Sequence, residues 1–347
     1  MELKHLAVVA FVLSVFPSLA SAQNEAALYA KAKQEGALSL YGAGPAAFWD
    51  AATSEFNKVY PGIQVTLTGG FSNVLDKKID QQLHDGKVEV DIAVFQTIQD
   101  FVHWSKAGVL LPFKPPGFEK IDAHWKGSDG AYIAIAVNAI PYAYNTQLVK
   151  PEDVPRSAPD FLKPQFRGKL VSAYPQDDDA TLYAFDGIVS KYGWSYMDKY
   201  MANQPNFIQG HLGVVRSISS GANLVTLDTI ANVSLAEKAA GKPHDIAISS
   251  IDPMPVWPLC EAIFKAGPHL DAARLFVAFL LSPQQQARIG TWSSRSDVAP
   301  PAGLKPLTAY KIKNDYREFL SNTARLESVR KRFAELVGPI KNAGGVR

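Results

Sequence analysis

The sequence predicts an α/β protein built from two doubly wound lobes with a crossover between them. Residues 37–95 carry strand and helix patterns in the order β-α-β-α-β, which predicts a mostly parallel sheet. A second run of the same kind follows between residues 169 and 228. Between the two runs, residues 132–144 form a long apolar, β-prone stretch broken by Pro141, which suits a crossover between lobes.

In the first run, alternating or continuous apolar residues predict three strands, and helical spacing predicts the segments between them. The second helix is expected to bury Phe48, Ala52, Phe56 and Val59, and Pro61-Gly62 ends it. The third is expected to bury Leu75, Ile79 and Leu83. The predicted strands are 38–41, 63–67 and 90–95, and the first helix is 26–35.

The second run and the C-terminal part repeat these signals. The predicted strands are 169–173, 207–209, 224–227 and 246–249, and the predicted helices are 180–192, 212–220, 271–281 and 283–289. A last amphipathic helix places Leu326, Val329, Phe333 and Leu336 on one face. Its basic composition allows a membrane or calmodulin-like role, but packing on the outside of a lobe is the favoured interpretation.

Loops that follow parallel strands meet at one edge of a sheet, where ligands bind beside helix N-termini. We therefore expect the ligand site to combine loops from both runs. The candidate residues are Ala43, Gly44, Phe71, Ser72, Gln96 and Thr97 from the first run, and Gln176, Asp177, Asp178, His211, Asp228 and Asp252 from the second run and beyond.

These candidates have different expected roles. The amides of Gly44, Ser72 and His211 open helices and would suit a carboxylate or phosphate. A raised pKa would make His211 a positive charge near neutral pH; the alternative is a turn residue at the surface. Gln176 and Asp177 could accept hydrogen bonds from hydroxyl or amine groups, and Phe71 could stack on a ring or belong to the core.

Residues 1–22 have the three parts of a secretory signal peptide. A short n-region carries Lys4, an apolar run extends from Leu6 to Leu19, and Ala20-Ser21-Ala22 is a cleavage site. We expect cleavage after Ala22 and a mature protein in the periplasm. The alternative is an uncleaved N-terminal anchor, although the run is shorter than the roughly 20 apolar residues of a membrane span.

Composition limits the remaining function classes. The formal net charge of +2 gives no case for binding nucleic acid or an anionic membrane. The lone cysteine, Cys260, cannot form an internal disulfide and lies in an apolar run, so we expect a buried, inert thiol.

Several short segments together resemble one known family. They are 40–44, 56–63, 91–93, 108–112, 142–146, 166–170, 219–221, 272–276 and 281–286. In number, order and spacing they resemble the periplasmic solute-binding proteins of ATP-driven (ABC) importers, in the group that includes the ferric-iron binders.

The resemblance implies a type II periplasmic binding fold, with two lobes joined by crossover strands and the ligand in the cleft. It implies a monomer that needs no cofactor and delivers a small solute, organic and anionic or polar, to a permease in the inner membrane. The expected division assigns residues 23–130 and 247–297 to the first lobe. Residues 140–245 and 298–347 would form the second lobe and the C-terminal helices.

The resemblance also makes ferric iron an alternative ligand. Iron-binding members use an adjacent pair of tyrosines shortly after a Ser-x-Gly-Glu helix. The matching region here, residues 221–232, contains no tyrosine, and Ala222 replaces the usual acid. The run Asp177 to Asp179 could coordinate a cation, but acids at a helix start more often complement the helix dipole.

Two further functions stay open. Asp177 and Asp228 could form a carboxylate pair of the kind glycosidases use, but no serine hydrolase, zinc protease or phosphate-loop motif accompanies them. A binding protein is therefore favoured over an enzyme. The same fold could also present its ligand-bound state to a membrane receptor instead of a permease.

Overall fold

The computed structural model of the protein describes residues 19–44, 46 and 49–341. Most of the predicted signal peptide, residues 1–18, lies outside the described residues. The first helix, α1 (Leu19–Glu35), passes through the predicted cleavage position and packs on a later helix, α9 (Leu270–Leu280). No helix within the described ranges combines the length and the apolar character of a membrane span.

The first lobe is built on a six-stranded mixed sheet. Its strands are β1 (Ala37–Ala43), β2 (Gln64–Gly70), β3 (Ile92–Phe95), β4 (Ile133–Ala139), β10 (Met254–Ile263) and β11 (Ile312–Lys313). β1 pairs in parallel with both β2 and β3, as the β-α-β-α-β pattern predicts. β10 is antiparallel to β3 and β4, which makes the sheet mixed.

Helices cover both faces of this sheet. They are α1, α2 (Asp50–Val59), α3 (Ser72–His84), α4 (Ile98–Lys106), α9 and α10 (Pro283–Gln286). Phe56 of α2 packs edge-on against Phe276 and Phe279 of α9, and Leu75 and Ile79 of α3 are buried as predicted. Val59, expected in the core, is 48% exposed because it is the last residue of α2 and lies beyond the covered part of the sheet.

The second lobe contains two smaller groups of strands. They are β5 (Tyr142–Tyr144), β6 (Val171–Ala173), β7 (Asn206–Ile208), β8 (Val225–Thr226) and β9 (Asp245–Ala247). β8, β5 and β9 form one antiparallel sheet, and β6 and β7 form a parallel pair. A parallel bridge between Leu170 and Val225 places the pair beside the sheet.

The remaining helices belong to the second run and the C-terminal part. They are α5 (Asp179–Tyr192), α6 (Trp194–Ala202), α7 (His211–Ser219), α8 (Ala231–Ala239), α11 (Tyr316–Ser321) and α12 (Thr323–Val337). Phe333 of α12 is buried between Phe185 and Trp194, so this basic helix packs on the second lobe. Short 3-10 helices lie at Phe118–Lys120, Ala123–Trp125, Pro151–Asp153, Ala158–Leu162, Pro164–Phe166 and Leu307–Ala309.

Two chain segments cross between the lobes. Pro141 separates β4 of the first sheet from β5 of the second, which confirms the crossover predicted for residues 132–144. The chain returns between β9 and β10. The backbone N–H of Ile140 donates to the Pro255 carbonyl at 2.9 Å, so the two crossing segments are hydrogen-bonded side by side.

A C-terminal segment lies between the lobes. β11 pairs with β10 of the first sheet, and α11 then contacts both α4 and α5. The ring of Tyr316 in α11 packs 5.9 Å from Trp257 of β10 and 5.0 Å from Tyr183 of α5. The assignment of residues 298–347 to the second lobe stays a prediction, since this segment contacts both lobes.

Candidate functional site

The ends of β1 and β2 are tied together by backbone contacts. The Gly44 N–H donates to the Gly70 carbonyl at 2.8 Å, so this amide already has a partner and is not free to bind a carboxylate or phosphate as expected. The Ala43 carbonyl accepts the Trp49 indole N–H at 3.1 Å. A Cβ on Gly69 would meet the Ala46 backbone nitrogen at 2.5 Å, so only glycine allows this approach.

The loop after β2 presents one exposed ring and one buried hydroxyl. Phe71 precedes the first turn of α3 and is 55% exposed, so it does not belong to the core. Ser72 begins α3 and is only 6% exposed, yet its Oγ has no hydrogen-bond partner among the described residues. An unpaired buried hydroxyl costs roughly 1–3 kcal/mol, so this atom is suited to a group from outside the chain.

The loop after β3 also contains a buried hydroxyl group. Gln96 is half-buried, and Thr97, which precedes α4, is 4% exposed. The Thr97 hydroxyl lies beside the carboxyl group of Asp100, which is its one partner among the described residues. Asp100 Oδ2 is buried and forms no hydrogen bond of normal geometry within the described residues. Asp100 was not predicted as a site residue.

Asp100 belongs to a group of carboxylates that we call the acidic cluster: Asp76 and Asp80 of α3, Asp100 of α4, and Asp179 of α5. Burial raises the pKa of Asp100 to about 7; the hydrogen bond of the Thr97 hydroxyl opposes this shift, and the charges of the other three carboxylates add to it. Because Asp179 acts on Asp100, the cluster includes both lobes. Burial likewise raises the pKa of Asp76.

The second lobe faces the cluster with the loop after β6. Gln176 Nε2 donates to the Gly338 carbonyl at 2.9 Å, while its Oε1 is buried without a partner. Asp177 is exposed and accepts a hydrogen bond from Gln209 at 2.9 Å. Asp178 caps α5 through the N–H groups of Ala180 and Thr181 at 2.8 and 2.9 Å.

His211 and Asp228 form a buried ion pair at the other strand ends of this lobe. His211 Nε2 lies 3.0 Å from Asp228 Oδ1, and the two residues are 6% and 0% exposed. Burial alone would lower the pKa of His211, but the charge and hydrogen bond of Asp228 outweigh it and raise the pKa to about 9. The imidazole is therefore charged at neutral pH, but it is not the surface turn residue of the alternative interpretation.

The other oxygen of Asp228 is fully used by the protein. Its Oδ2 accepts the Ser172 hydroxyl and the Ala173 N–H at 3.0 Å each, and the Thr181 hydroxyl at 3.3 Å. Asp228 thereby joins β6, α5 and α7. Asp177 and Asp228 have separate partners, one exposed and one buried, and share no contact of the kind a carboxylate pair needs.

Asp252 lies at the return crossing and has its own partners. It is 3% exposed, pairs with Lys191, and accepts the Tyr142 hydroxyl at 2.7 Å and the Ala158 N–H at 2.6 Å. Burial opposes its ionisation, but these hydrogen bonds outweigh burial and lower the pKa of Asp252. A mostly apolar cavity of about 340 Å³ beside it is lined by both crossing segments and α5.

The structure thus divides the predicted residues into three settings. Ser72 and Thr97 lie at the starts of the two helices that carry Asp76, Asp80 and Asp100, and the exposed Phe71 directly precedes Ser72. Gln176, Asp177 and Asp178 lie on the facing loop, whereas His211, Asp228 and Asp252 are engaged by protein partners. A four-residue spacing joins Ser72, Asp76 and Asp80, so this pattern on one helix face is the signal that could have identified the two acids.

Within the described ranges, no three histidine, cysteine, aspartate or glutamate residues come together in an arrangement suited to a metal ion. Cys260 is fully buried in β10, and burial raises the pKa of its thiol. The site is therefore a polar, mainly acidic surface that offers hydrogen-bond acceptors.

Comparison with known proteins agrees with this architecture. Residues 90–315 match the family described as bacterial extracellular solute-binding protein. The chain belongs to this family.

Individual relatives of this solute-binding protein are distant in sequence. The phosphoglycerate transport regulatory protein PgtC of Salmonella typhimurium is 24% identical over 186 residues, which cover 51% of this chain but only 45% of that relative.

Two solved structures share the fold. Iron-bound HitA from Pseudomonas aeruginosa is 19% identical, with a TM-score of 0.70, and the match covers 86% of this chain and 99% of that one. AfuA from Actinobacillus pleuropneumoniae, with fructose-6-phosphate bound, is 18% identical, with a TM-score of 0.71 and coverage of 87% and 98%. These matches establish the type II periplasmic binding fold.

Proposed function

We propose that this solute-binding protein is the periplasmic component of an ABC importer. It captures one small solute between its lobes as a monomer and delivers it to a permease in the inner membrane. The predicted export signal supports the periplasmic location. The solute would bind between the two predicted lobes, which are residues 23–130 with 247–297 and residues 140–245 with 298–347.

The observation that carries the proposal is a set of buried polar atoms, from both predicted lobes, that form no hydrogen bond of normal geometry within the described residues. Ser72 Oγ and Thr97 Oγ1 come from the first lobe, and Gln176 Oε1 comes from the second. Buried polar groups in folded proteins almost always have a partner. A solute that hydrogen-bonds to atoms of both lobes would satisfy them and would favour the closed arrangement.

Binding without turnover is part of the proposal. The strongest acid–base pair, His211 with Asp228, is occupied by structural hydrogen bonds and lies 6% and 0% exposed, so it is poorly placed to act on a solute. Iron is the weaker ligand candidate, even though iron-bound HitA shares the fold. Residues 221–232 contain no tyrosine, and the described acids are not grouped for a metal.

A thermal-shift screen of the mature protein tests the proposal. The panel contains ferric citrate, sugar phosphates, carboxylates, neutral sugars and amines. A true ligand raises the melting temperature because it binds only the folded state. Calorimetry should then give one solute per chain, and small-angle scattering should show a more compact particle with the solute bound.

The contrary outcomes are specific. If no solute of any charge type shifts the melting temperature, capture of a small solute is wrong. If a solute is converted to product at catalytic rates, binding without turnover is wrong.

A sensing role is the second candidate, because the Salmonella relative is named as a regulatory protein of transport. In that case the ligand-bound form would bind a membrane receptor. Reconstitution with an ABC permease and its ATPase separates transport from sensing, because only an importer component stimulates ATP hydrolysis when its solute is present.

A further inference from the structure

The charge of the site restricts which solute it can hold. None of Asp76, Asp80 and Asp100 forms an ion pair with any residue in the described ranges. The charges that act most on Asp100 are those of other carboxylates. Arg330 pairs with Asp179, and Lys77 acts on Asp76, so the cluster keeps a net negative charge.

Two buried hydroxyls lie on the same helix faces as these acids. Ser72 is four residues before Asp76 on α3, and Thr97 is three residues before Asp100. Within the described residues Ser72 Oγ has no partner, and the Thr97 hydroxyl and the Asp100 carboxyl group have only each other. Hydroxyl and carboxylate oxygens accept hydrogen bonds, so together they fit a group that carries several N–H donors.

An aromatic ring completes the arrangement. Phe71 directly precedes Ser72 and is 55% exposed, so its ring is accessible from outside the chain. The face of an aromatic ring attracts a cation within about 6 Å. An exposed ring next in sequence to Ser72, together with carboxylates that form no ion pair in the described ranges, is a combination that recognises an organic ammonium group.

We propose that the solute is an organic cation with a primary ammonium group, held by Asp100, Ser72 and Thr97 and covered by Phe71. This inference rests on the proposed function. It replaces the expectation of an anionic or polar solute with that of a polar, positively charged one. A bare metal ion is disfavoured because the described acids are not grouped to coordinate one. An anion would meet the acidic cluster at close range.

The test is isothermal titration calorimetry of the mature protein with six probes. Three carry ammonium groups (1,4-diaminobutane, ethanolamine and agmatine), and three are anionic (fructose 6-phosphate, 3-phosphoglycerate and ferric citrate). We expect at least one ammonium probe to bind one-to-one and to bind more weakly at high salt. The anionic probes should give no heat of binding.

Variants locate the ammonium group. Asp100→Asn should weaken the bound amine by roughly 30-fold, because it removes a partly buried charge partner. Ser72→Ala should cost about fivefold, the value of one hydrogen bond. The matched control is Asp198→Asn on the exposed face of α6, which should leave affinity unchanged.

Each remaining outcome overturns a defined statement. Binding of an anionic probe without any ammonium probe overturns the charge assignment but leaves solute capture intact. If no ammonium probe binds, the inference is wrong, while the broader thermal-shift panel decides solute capture separately. An amine whose affinity is the same for Asp100→Asn and Asp198→Asn binds elsewhere.

Discussion

His211 and Asp228 at strand ends of the second lobe bind each other, whereas Ser72 and Thr97 at strand ends of the first lobe have few or no partners among the described residues. Asp228 satisfies His211, Ser172 and Thr181 within the second lobe. In the first lobe, Ser72 Oγ has no partner in the described ranges, and the Thr97 hydroxyl has only the carboxyl group of Asp100 beside it. The same position at the end of a parallel strand thus serves stability in one lobe and leaves binding capacity in the other.

The difference in burial explains the difference in role. Asp228 is fully buried, and a buried charge is tolerated only when it is paired and hydrogen-bonded. Asp100 is half-buried and surrounded by like charges, so its ionised form is disfavoured without a ligand. Removing the carboxylate charge should therefore destabilise the fold at Asp228 in the second lobe and stabilise it at Asp100 in the first.

The largest expected effect is that of Asp228→Asn. This change keeps the size of the side chain but removes the charge that pairs with His211 and replaces one acceptor oxygen with a donor. Removing one partner of a buried pair typically costs about 3–5 kcal/mol. The free energy of unfolding in urea measures the loss, with Asp198→Asn as the control that should change it by less than about 0.5 kcal/mol. Equal stability of the two variants would contradict a structural role for Asp228.

The second prediction concerns pH and the same ion pair. His211 has a folded-state pKa of about 9 against an ordinary value of 6.5, so the folded protein binds its proton more tightly. This contribution is complete below pH 6.5 and is lost as the pH rises towards 9, by roughly 2–3 kcal/mol. Urea unfolding at pH 6 and pH 9.5 measures it. In His211→Asn the decline over this range should shrink by this amount, leaving the smaller part that Asp100 contributes below pH 7, and an unchanged decline would assign it to other groups.

The third prediction is that removing the charge of Asp100 raises the free energy of unfolding, whereas removing that of Asp228 lowers it. The pKa of Asp100 is about 7 in the folded protein against an ordinary 3.8, so stability falls as the pH rises from 3.8 to 7. Asp100→Asn removes this penalty and should stabilise the unliganded protein by about 1–2 kcal/mol at pH 8. Unfolding in urea at pH 8 checks the sign. Destabilisation would show that Asp100 supports the fold, like Asp228, and the contrast between the lobes would be lost.

Much of the architecture could be predicted from local patterns. Periodicity identified β1 to β3 and the helices between them, and Pro141 marked the crossover, because these features depend on neighbouring residues. The strand-end rule also selected Ser72 and Thr97. It could not separate them from His211 and Asp228, because a residue's partners depend on contacts distant in sequence.

Asp100 and Tyr316, which the sequence analysis did not select, also depend on contacts distant in sequence. Asp100 and Asp179 come within range of each other's charge because α11 packs against both α4 and α5, which are some 80 positions apart in the chain and belong to different lobes. Tyr316 reaches Trp257 and Tyr183 because β11 returns to the first sheet. Neither of these two contacts can be predicted from residues that are close together in the sequence.

The smallest predicted effect lies at the edge of the facing loop. Asp177 is exposed and has one hydrogen bond, from Gln209 at 2.9 Å. Asp177→Ala should change the free energy of unfolding by less than about 0.5 kcal/mol, yet weaken an ammonium ligand about twofold, because a charge near the acidic cluster still attracts a cation across screened solvent. The comparison with Gln209→Ala is decisive, since that variant loses the same hydrogen bond and keeps the charge. If titration calorimetry gives equal affinities for the two, Asp177 acts only by holding the loop, and recognition of the solute on this side depends on Gln176 and the capped end of α5.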